Sequence, residues 1–459
     1  MSLENLKEEL EAILEAEDNR RLHEFLDEQN ISDVAELVYE LPDDDSRIIA
    51  AMSVHRAVGV FKILDFAAQK KIIQTLPPDK TAALLNELPP DDRTDFLEEL
   101  PSNVVRELIK LLDNEERKIT LSLLGYPENS VGRLMTPDYV YVYEKNSVQQ
   151  VLETVRRVGK NSETIDVIYV INEKGELLDD IRIREFILAD LDKKVKDLMD
   201  NRVISLNAYQ DQEEANEIFK MNNRVALPVV SNSNKLLGIV TIDDMLWVAT
   251  EEFSEDMQKI GGTQALDHPY LEMPLLQLFR KRIGWLVVLF LGEMLTATAM
   301  AFFEDEIKKF TVLALFIPLI ISSGGNSGSQ ASTLIIQAMA VGEIGLSDWW
   351  RVMRREILSG ILLGSVLGII GFFRIFVWNS INPNLYGEHW MLVGITVCFA
   401  LLGVVLWGTL CGSMLPIILK KLGADPAVSS APFVATLVDV TGLVIYFTVA
   451  FAVLGGIIL

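Results

Sequence analysis

The residues of this chain that could do chemistry are acids placed where acids are costly. Asp439 lies near the middle of an apolar run at 427–454. A carboxylate at the centre of a membrane helix costs about 2.5 to 3.5 kcal/mol on insertion scales, so it must face a cation or a watery path. Arg374, near the outer end of another apolar run, is the one base available to it inside such a stretch. Without that partner, Asp439 reads as part of an ion pathway. Glu293 sits midway along a third run, where it could relay protons or ions with Asp439 or simply hydrogen-bond a neighbouring helix. A fourth run carries Ser322, Ser323, Gly324, Gly325, Asn326, Ser327, Gly328, Ser329 and Gln330 consecutively, shortly after Pro318. Helix surfaces that face lipid are not built this way. Glycines around Asn326 would let backbones approach and expose carbonyls, as selective pores do.

A second group of acids is polar throughout. Glu251, Glu252, Glu255 and Asp256 are spaced so that Glu251 stacks over Glu255 and Glu252 over Asp256 on a helix. Like charges at that spacing destabilise a helix by roughly 0.2 to 0.5 kcal/mol per pair. A shared divalent cation would reverse the sign; otherwise the segment is a solvated acidic helix. Enzyme signatures are missing: no phosphate-cradling Gly-Lys-Ser/Thr loop, no nucleophile elbow, no His-Glu-x-x-His. The four histidines, His23, His55, His268 and His389, are scattered. Cys398 and Cys411 share one apolar run without a metal-ligand partner.

The elements that must position these acids follow from composition. The chain has 459 residues, half of them apolar, with 65 acids against 41 bases and a net charge of -24. That balance excludes a nucleic-acid binder working through a basic surface, and two cysteines exclude a disulfide scaffold. From Leu271 onward acids and bases balance, so the acidic excess lies entirely before it. A bilayer needs about 20 apolar residues of helix per crossing. Five stretches qualify: 284–303, 310–341, 357–378, 390–419 and 427–454. Arg280, Lys281 and Arg282 precede the first, Arg351, Arg354 and Arg355 fill the second connection, and Lys420 and Lys421 the fourth. The positive-inside rule puts these connections and the acidic half in the cytoplasm of a multi-pass protein of the cell membrane. No signal peptide precedes Met1, so the N-terminal half is expected to remain there. Gly360, Gly364 and Gly368, and Gly408 and Gly412, suit close helix packing.

Leu64, Leu76, Leu88, Leu100 and Leu112 recur at every twelfth residue, and three of them precede Pro77, Pro89 and Pro101. Each proline turn starts a short amphipathic helix, and units so short must stack, giving a helical superhelix over 1–128. Its acids, including Asp91, Asp92, Glu98 and Glu99, are by default a solvated face. Over 129–248 strands and helices alternate and a module is duplicated: Ile168 to Ile171 answers Leu227 to Val230, and Ile181 to Ile183 answers Val240 to Ile242. This resembles a tandem CBS pair, in which residues placed like Thr241 and Asp244 often hold a nucleotide ribose. The first copy has Asp179, Arg182 and Glu185 where the second has Gly238, Thr241 and Asp244, so at most one site for ATP or another adenine nucleotide is intact.

Over essentially its full length the sequence resembles the MgtE family of magnesium channels. The resemblance rests on Pro318, Gly325, Asn326 and Gly328, on Pro432, Ala435, Thr436, Asp439 and Gly442, and on the domain order. It implies a multidomain fold: an all-α superhelical N-terminal domain, an α/β tandem CBS pair, a connecting (plug) helix and linker at 249–275, and an α-helical transmembrane domain with five spans at 276–459. It implies a homodimer in the lipid bilayer, its pore on the twofold axis lined by the second and fifth spans, with Asp439 ringing a selectivity site. It also implies that cytosolic Mg2+ binds between the acidic domains and shuts the gate. Asp91, Glu214, Asp243, Asp244, Glu251, Glu252, Glu255 and Asp256 are then the candidate regulatory ligands. Magnesium keeps its waters and prefers octahedral oxygen, so such a pore needs only a few oxygens facing a hydrated ion. Surplus negative charge would splay the acidic faces apart until magnesium draws them together. Two rival readings are a sodium- or proton-coupled carrier using Glu293 and Asp439, and a membrane-anchored nucleotide or metal sensor.

Overall fold

A computed structural model describes residues 3–266, 270–271, 273–309, 311–383 and 385–458; His268 lies outside them. The chain parts into two compact units, 1–249 and 250–459.

The first unit opens with helices only, from Leu3–Glu15 to Asn114–Leu123. Pro78–Glu87 and Pro90–Glu98 begin on the second proline of each pair, and Ser102–Ile109 follows Pro101. Proline at the first helical position loses no hydrogen bond, and it holds the preceding residue extended, which ends the helix before it. The five periodic leucines are all buried in one continuous core. The expectation of a solvated acidic face fails at Asp91, which is buried, because the first turn of its helix is covered.

Two three-stranded sheets follow. Tyr141–Tyr143 pairs in parallel with Val167–Ile171, which pairs antiparallel with Leu177–Arg182; Leu206–Asn207, Ala226–Val230 and Leu236–Thr241 repeat the order. Both central strands are buried throughout, which is why they read as unbroken apolar runs. The copies are cross-braced. The segment before the first sheet joins the second, with Thr136 N donating to Ile239 O at 2.9 Å, and Val195 N reaches back to Asn146 O at 3.0 Å. This exchange explains the departure at Asp179. In the second copy Gly238 lies so close to the exchanged strand that a Cβ would stand 2.6 Å from Thr136 O. At the corresponding place Asp179 is buried, and its Oδ2 accepts from Asp200 N at 2.8 Å and Asn201 N at 3.0 Å. It anchors the incoming segment.

A domain limit at 248 does not appear as a break in secondary structure. One helix runs over Ile242–Ile260, since no proline or glycine interrupts that stretch, and it stops at Gly261 and Gly262, the latter at φ +74°.

Among the described residues, five helices of the second unit are long and apolar enough to cross a membrane: Leu275–Phe302, Thr311–Ala340, Leu346–Ile381, Trp390–Lys421 and Ala431–Gly455. The first begins directly after Pro274, so Arg280 to Arg282 lie within it rather than before it. The fourth is central, packed on the second, third and fifth; the first rests on the fifth. Gly360, Gly364 and Gly368 do face the fourth span: a Cβ on each would come within 2.9 Å of Thr409, Leu402 or Cys398.

The serine and glycine run differs from expectation. Ile317–Ala340 is helical straight through it, so its carbonyls are not freed for ions. A Cβ on Gly408 would stand 2.4 Å from Gly324 O, and one on Gly412 2.1 Å from Gly328 O. These carbonyls are covered by the fourth span, and the glycines there serve backbone contact.

Candidate functional sites in the membrane unit and the acidic unit

Asp439 is half-buried on the fifth span. Among the described residues no base pairs with it, Arg374 included. Its close neighbours are small: a Cβ on Gly325 would lie 3.5 Å from Asp439 Oδ1 and 3.5 Å from Ala435 Cβ. Glu293, exposed on the first span, lies close enough for its charge to act on Asp439. The structure therefore brings Gly325, Ala435 and Asp439 together.

Other candidates take different positions. Thr436 turns its methyl toward Gly292 of the first span, and its hydroxyl donates to Pro432 O at 3.0 Å. Pro432 packs beside Gly262, just after the long acidic helix. Gly328 is buried between Val434 and Gly408. Asn326 is exposed, its Nδ2 3.5 Å from Ser322 Oγ. The hydroxyls of this run tie down the start of the fifth span: Ser329 donates to Ala431 O at 3.0 Å and Ser332 to Ser429 O at 2.8 Å.

Of the acids after Thr250, Glu255 and Asp256 come together with a residue that no sequence motif marked. Asp425, in the connection before the fifth span, accepts from Lys259 Nζ at 2.7 Å, and Lys259 also pairs with Glu255. Burial first, then the Asp425 charge with Glu252 and Glu255, pushes Asp256 up to about 6 against the pull of Lys259. Asp425 also caps the short turn at Pro426–Val428, accepting from Ala427 N at 2.8 Å. The Asp425-Pro426 dipeptide in a short connection was the available signal.

The remaining acids meet inside the first unit. Asp91 is buried, its Oδ1 has no hydrogen-bond partner, and its carboxyl is held well above the usual range by burial, then by Asp244, Asp92 and Glu163. Asp92 is likewise raised by burial, with Asp243 adding to it and Lys62 opposing at 2.7 Å. Asp244 is pushed up to about 6 by burial, although Thr241 Oγ1 donates to its Oδ2 at 2.5 Å. The residues proposed to hold a ribose are thus bonded to each other, and Asp244 faces the helical domain. Glu214 stands apart, exposed and accepting from Gln210 Nε2 at 3.3 Å. Glu163 and Lys62 belong to this junction, yet no motif marked either. Beside it Arg133 ties the CBS pair to the helical domain through Glu98 at 2.6 Å, while the fully buried Arg93 donates within the helical domain to Thr120, Leu85 O and Leu88 O. Among the described residues no three acids close into a cage for a bare ion. An unsatisfied, buried carboxylate oxygen in an acidic junction nevertheless suits a cation bound through its waters.

Comparisons with known proteins cover the same divisions. Family models match three regions: a divalent cation transporter domain, MgtE, over 317–449, the MgtE intracellular N domain over 29–129, and CBS domains over 131–192 and 195–250. The magnesium transporter MgtE of Thermus thermophilus is 36% identical across 97% of this chain and 98% of its own. That of Bacillus subtilis is 30% identical across 94% of each. Among solved structures, the cytosolic domain of the Mg2+ channel MgtE in complex with ATP superposes with TM-score 0.51 at 34% identity, covering 52% of this chain and 98% of that one.

Proposed function

The chain belongs to the MgtE family of magnesium transporters, and on that footing we propose that it is a magnesium-selective channel shut by magnesium on its cytosolic face. The observation that carries this reading is Asp439: a carboxylate in mid-span, without a base, beside a glycine that leaves room at its oxygen. Two copies meeting on a twofold axis would bring two such carboxylates together. A hydrated dication passing between them relieves their repulsion, and magnesium's tightly held octahedral waters suit a ring that touches the ion through water.

Closure has a physical basis in the two acidic groups. Each combines buried or half-buried carboxylates whose ionised forms repel one another, so a dication bound there favours the closed arrangement over the open one. The reaction of the channel to its own cargo is then negative feedback. Thr241 and Asp244 are the residues proposed for an adenine nucleotide, in keeping with the ATP complex of the related cytosolic domain.

The test is magnesium flux into vesicles holding the full chain, with and without magnesium on the cytosolic face. Asp439→Ala should abolish flux while leaving the folded protein intact; full flux would remove the pore assignment. Joint neutralisation of Glu251, Glu252, Glu255 and Asp256 should leave flux running at high cytosolic magnesium. A second reading, a coupled carrier, is favoured by Glu293 lying within electrostatic reach of Asp439. Strict dependence on a sodium or proton gradient would select it, and single-channel currents would reject it.

A further inference from the structure

The acidic junction of the first unit contains its own cation. Lys62 closes the helix Val54–Ile63, and its Nζ sits 2.7 Å from Asp92 Oδ2. Both side chains are mostly buried, at 28% and 22% exposure. The carboxylates of Asp91 and Glu163 also lie within its field. The other nearby bases are committed elsewhere: Arg93 to Thr120, Glu116 and two carbonyls, and Arg133 to Glu98. One ammonium therefore faces Asp91, Asp92 and Glu163, with Asp243 and Asp244 acting on the same acids. It does not satisfy them all, since Asp91 Oδ1 is buried without a hydrogen-bond partner.

We propose that Lys62 is a tethered counter-ion that competes with magnesium for Asp91 and Asp92 and so sets the magnesium concentration at which this junction responds. The inference rests on the reading of these acids as a magnesium-responsive junction. Its physical basis is a mismatch of charge and geometry. A lysine offers one charge and three donors at the end of a flexible stem, whereas magnesium offers two charges and demands six oxygens. With the ammonium in place, the junction holds together in part without divalent cation, and an arriving dication must displace or repel it. Lys62 is thus a positioning residue that raises the threshold and does not itself ligate metal.

The experiment is limited proteolysis of the full chain in detergent, titrated with magnesium chloride at constant ionic strength. Wild type, Lys62→Met, Lys62→Arg and Lys118→Met are compared; Lys118 is an exposed lysine remote from the junction in charge partner, pairing with Glu115. The expected result for Lys62→Met is faster cleavage in chelator, full protection once magnesium is added, and a half-protecting concentration at least about fivefold lower, the low end of coupling between interacting sites. Lys62→Arg and Lys118→Met should stay near wild type. Loosening of Lys62→Met that magnesium cannot restore would mean a merely structural role and overturn the proposal, as would an unchanged threshold. If wild type itself shows no protection by magnesium, the reading of the junction fails and the inference with it.

Discussion

Gly325 and Asp439 meet across the contact between the second and fifth spans, with the missing Cβ of the glycine 3.5 Å from the carboxylate oxygen. That distance is ordinary van der Waals contact, so a methyl group fits and a larger side chain must push the carboxylate aside. Gly325→Ala should therefore conduct at close to the wild-type rate. Gly325→Leu should lose most magnesium flux while keeping its thermal stability within a few degrees. Equal flux in the two variants would mean that the ion path does not run past this contact.

Gly412 offers a sharper steric test. A Cβ there would stand 2.1 Å from Gly328 O, a backbone atom that cannot rotate away. Overpacking of this kind costs about 1 to 3 kcal/mol, more when backbones must separate. Gly412→Ala should lower the melting temperature in detergent clearly, whereas Gly423→Ala, with open space around it but φ at +77°, tests only backbone strain. The first loss should exceed the second.

Lys259 and Asp425 join the helix before the membrane to the connection preceding the fifth span. Both are about a third exposed, so solvent screens the pair, and a double-mutant cycle with Lys259→Met and Asp425→Asn should give a coupling of about 0.5 to 1 kcal/mol. Protease sensitivity at the exposed Phe253 and Met257 in chelator is the readout. Additive effects would show that the ion pair does not hold this helix.

Asp180 supplies a pH signature in the CBS pair. Burial first, with Asp179 and Asp200 adding to it, pushes its carboxyl up to about 6, although Arg224 lies at 2.9 Å and opposes the shift. An acid raised on folding contributes stability that is fully present below its unfolded value, near 4, and is lost as pH rises through about 6. The stability of wild type relative to Asp180→Asn should accordingly fall between pH 4.5 and 7. Melting temperatures of both proteins across that range check the sign; parallel curves would place the titration elsewhere.

Sequence alone determined what depends on local periodicity. The twelve-residue leucine repeat, the proline starts, the duplicated strand pairs and the apolar lengths each declare an element through neighbouring residues, because burial of a helix face or a strand repeats at a fixed period. Asp439 was legible for the same reason, as a charge interrupting an apolar run. The tertiary structure decided which distant acids meet. Asp91 faces Asp244, with Glu163 and Lys62 brought in from two further elements, while Glu214 is left in solvent. Asp425 joins Lys259 across most of the membrane unit. The glycines that looked like an ion path divide into Gly325 beside Asp439 and Gly324 and Gly328 against the fourth span. No local pattern encodes these choices: a carboxylate's partners, burial and charge state are set by which helices pack around it, and that packing is long-range.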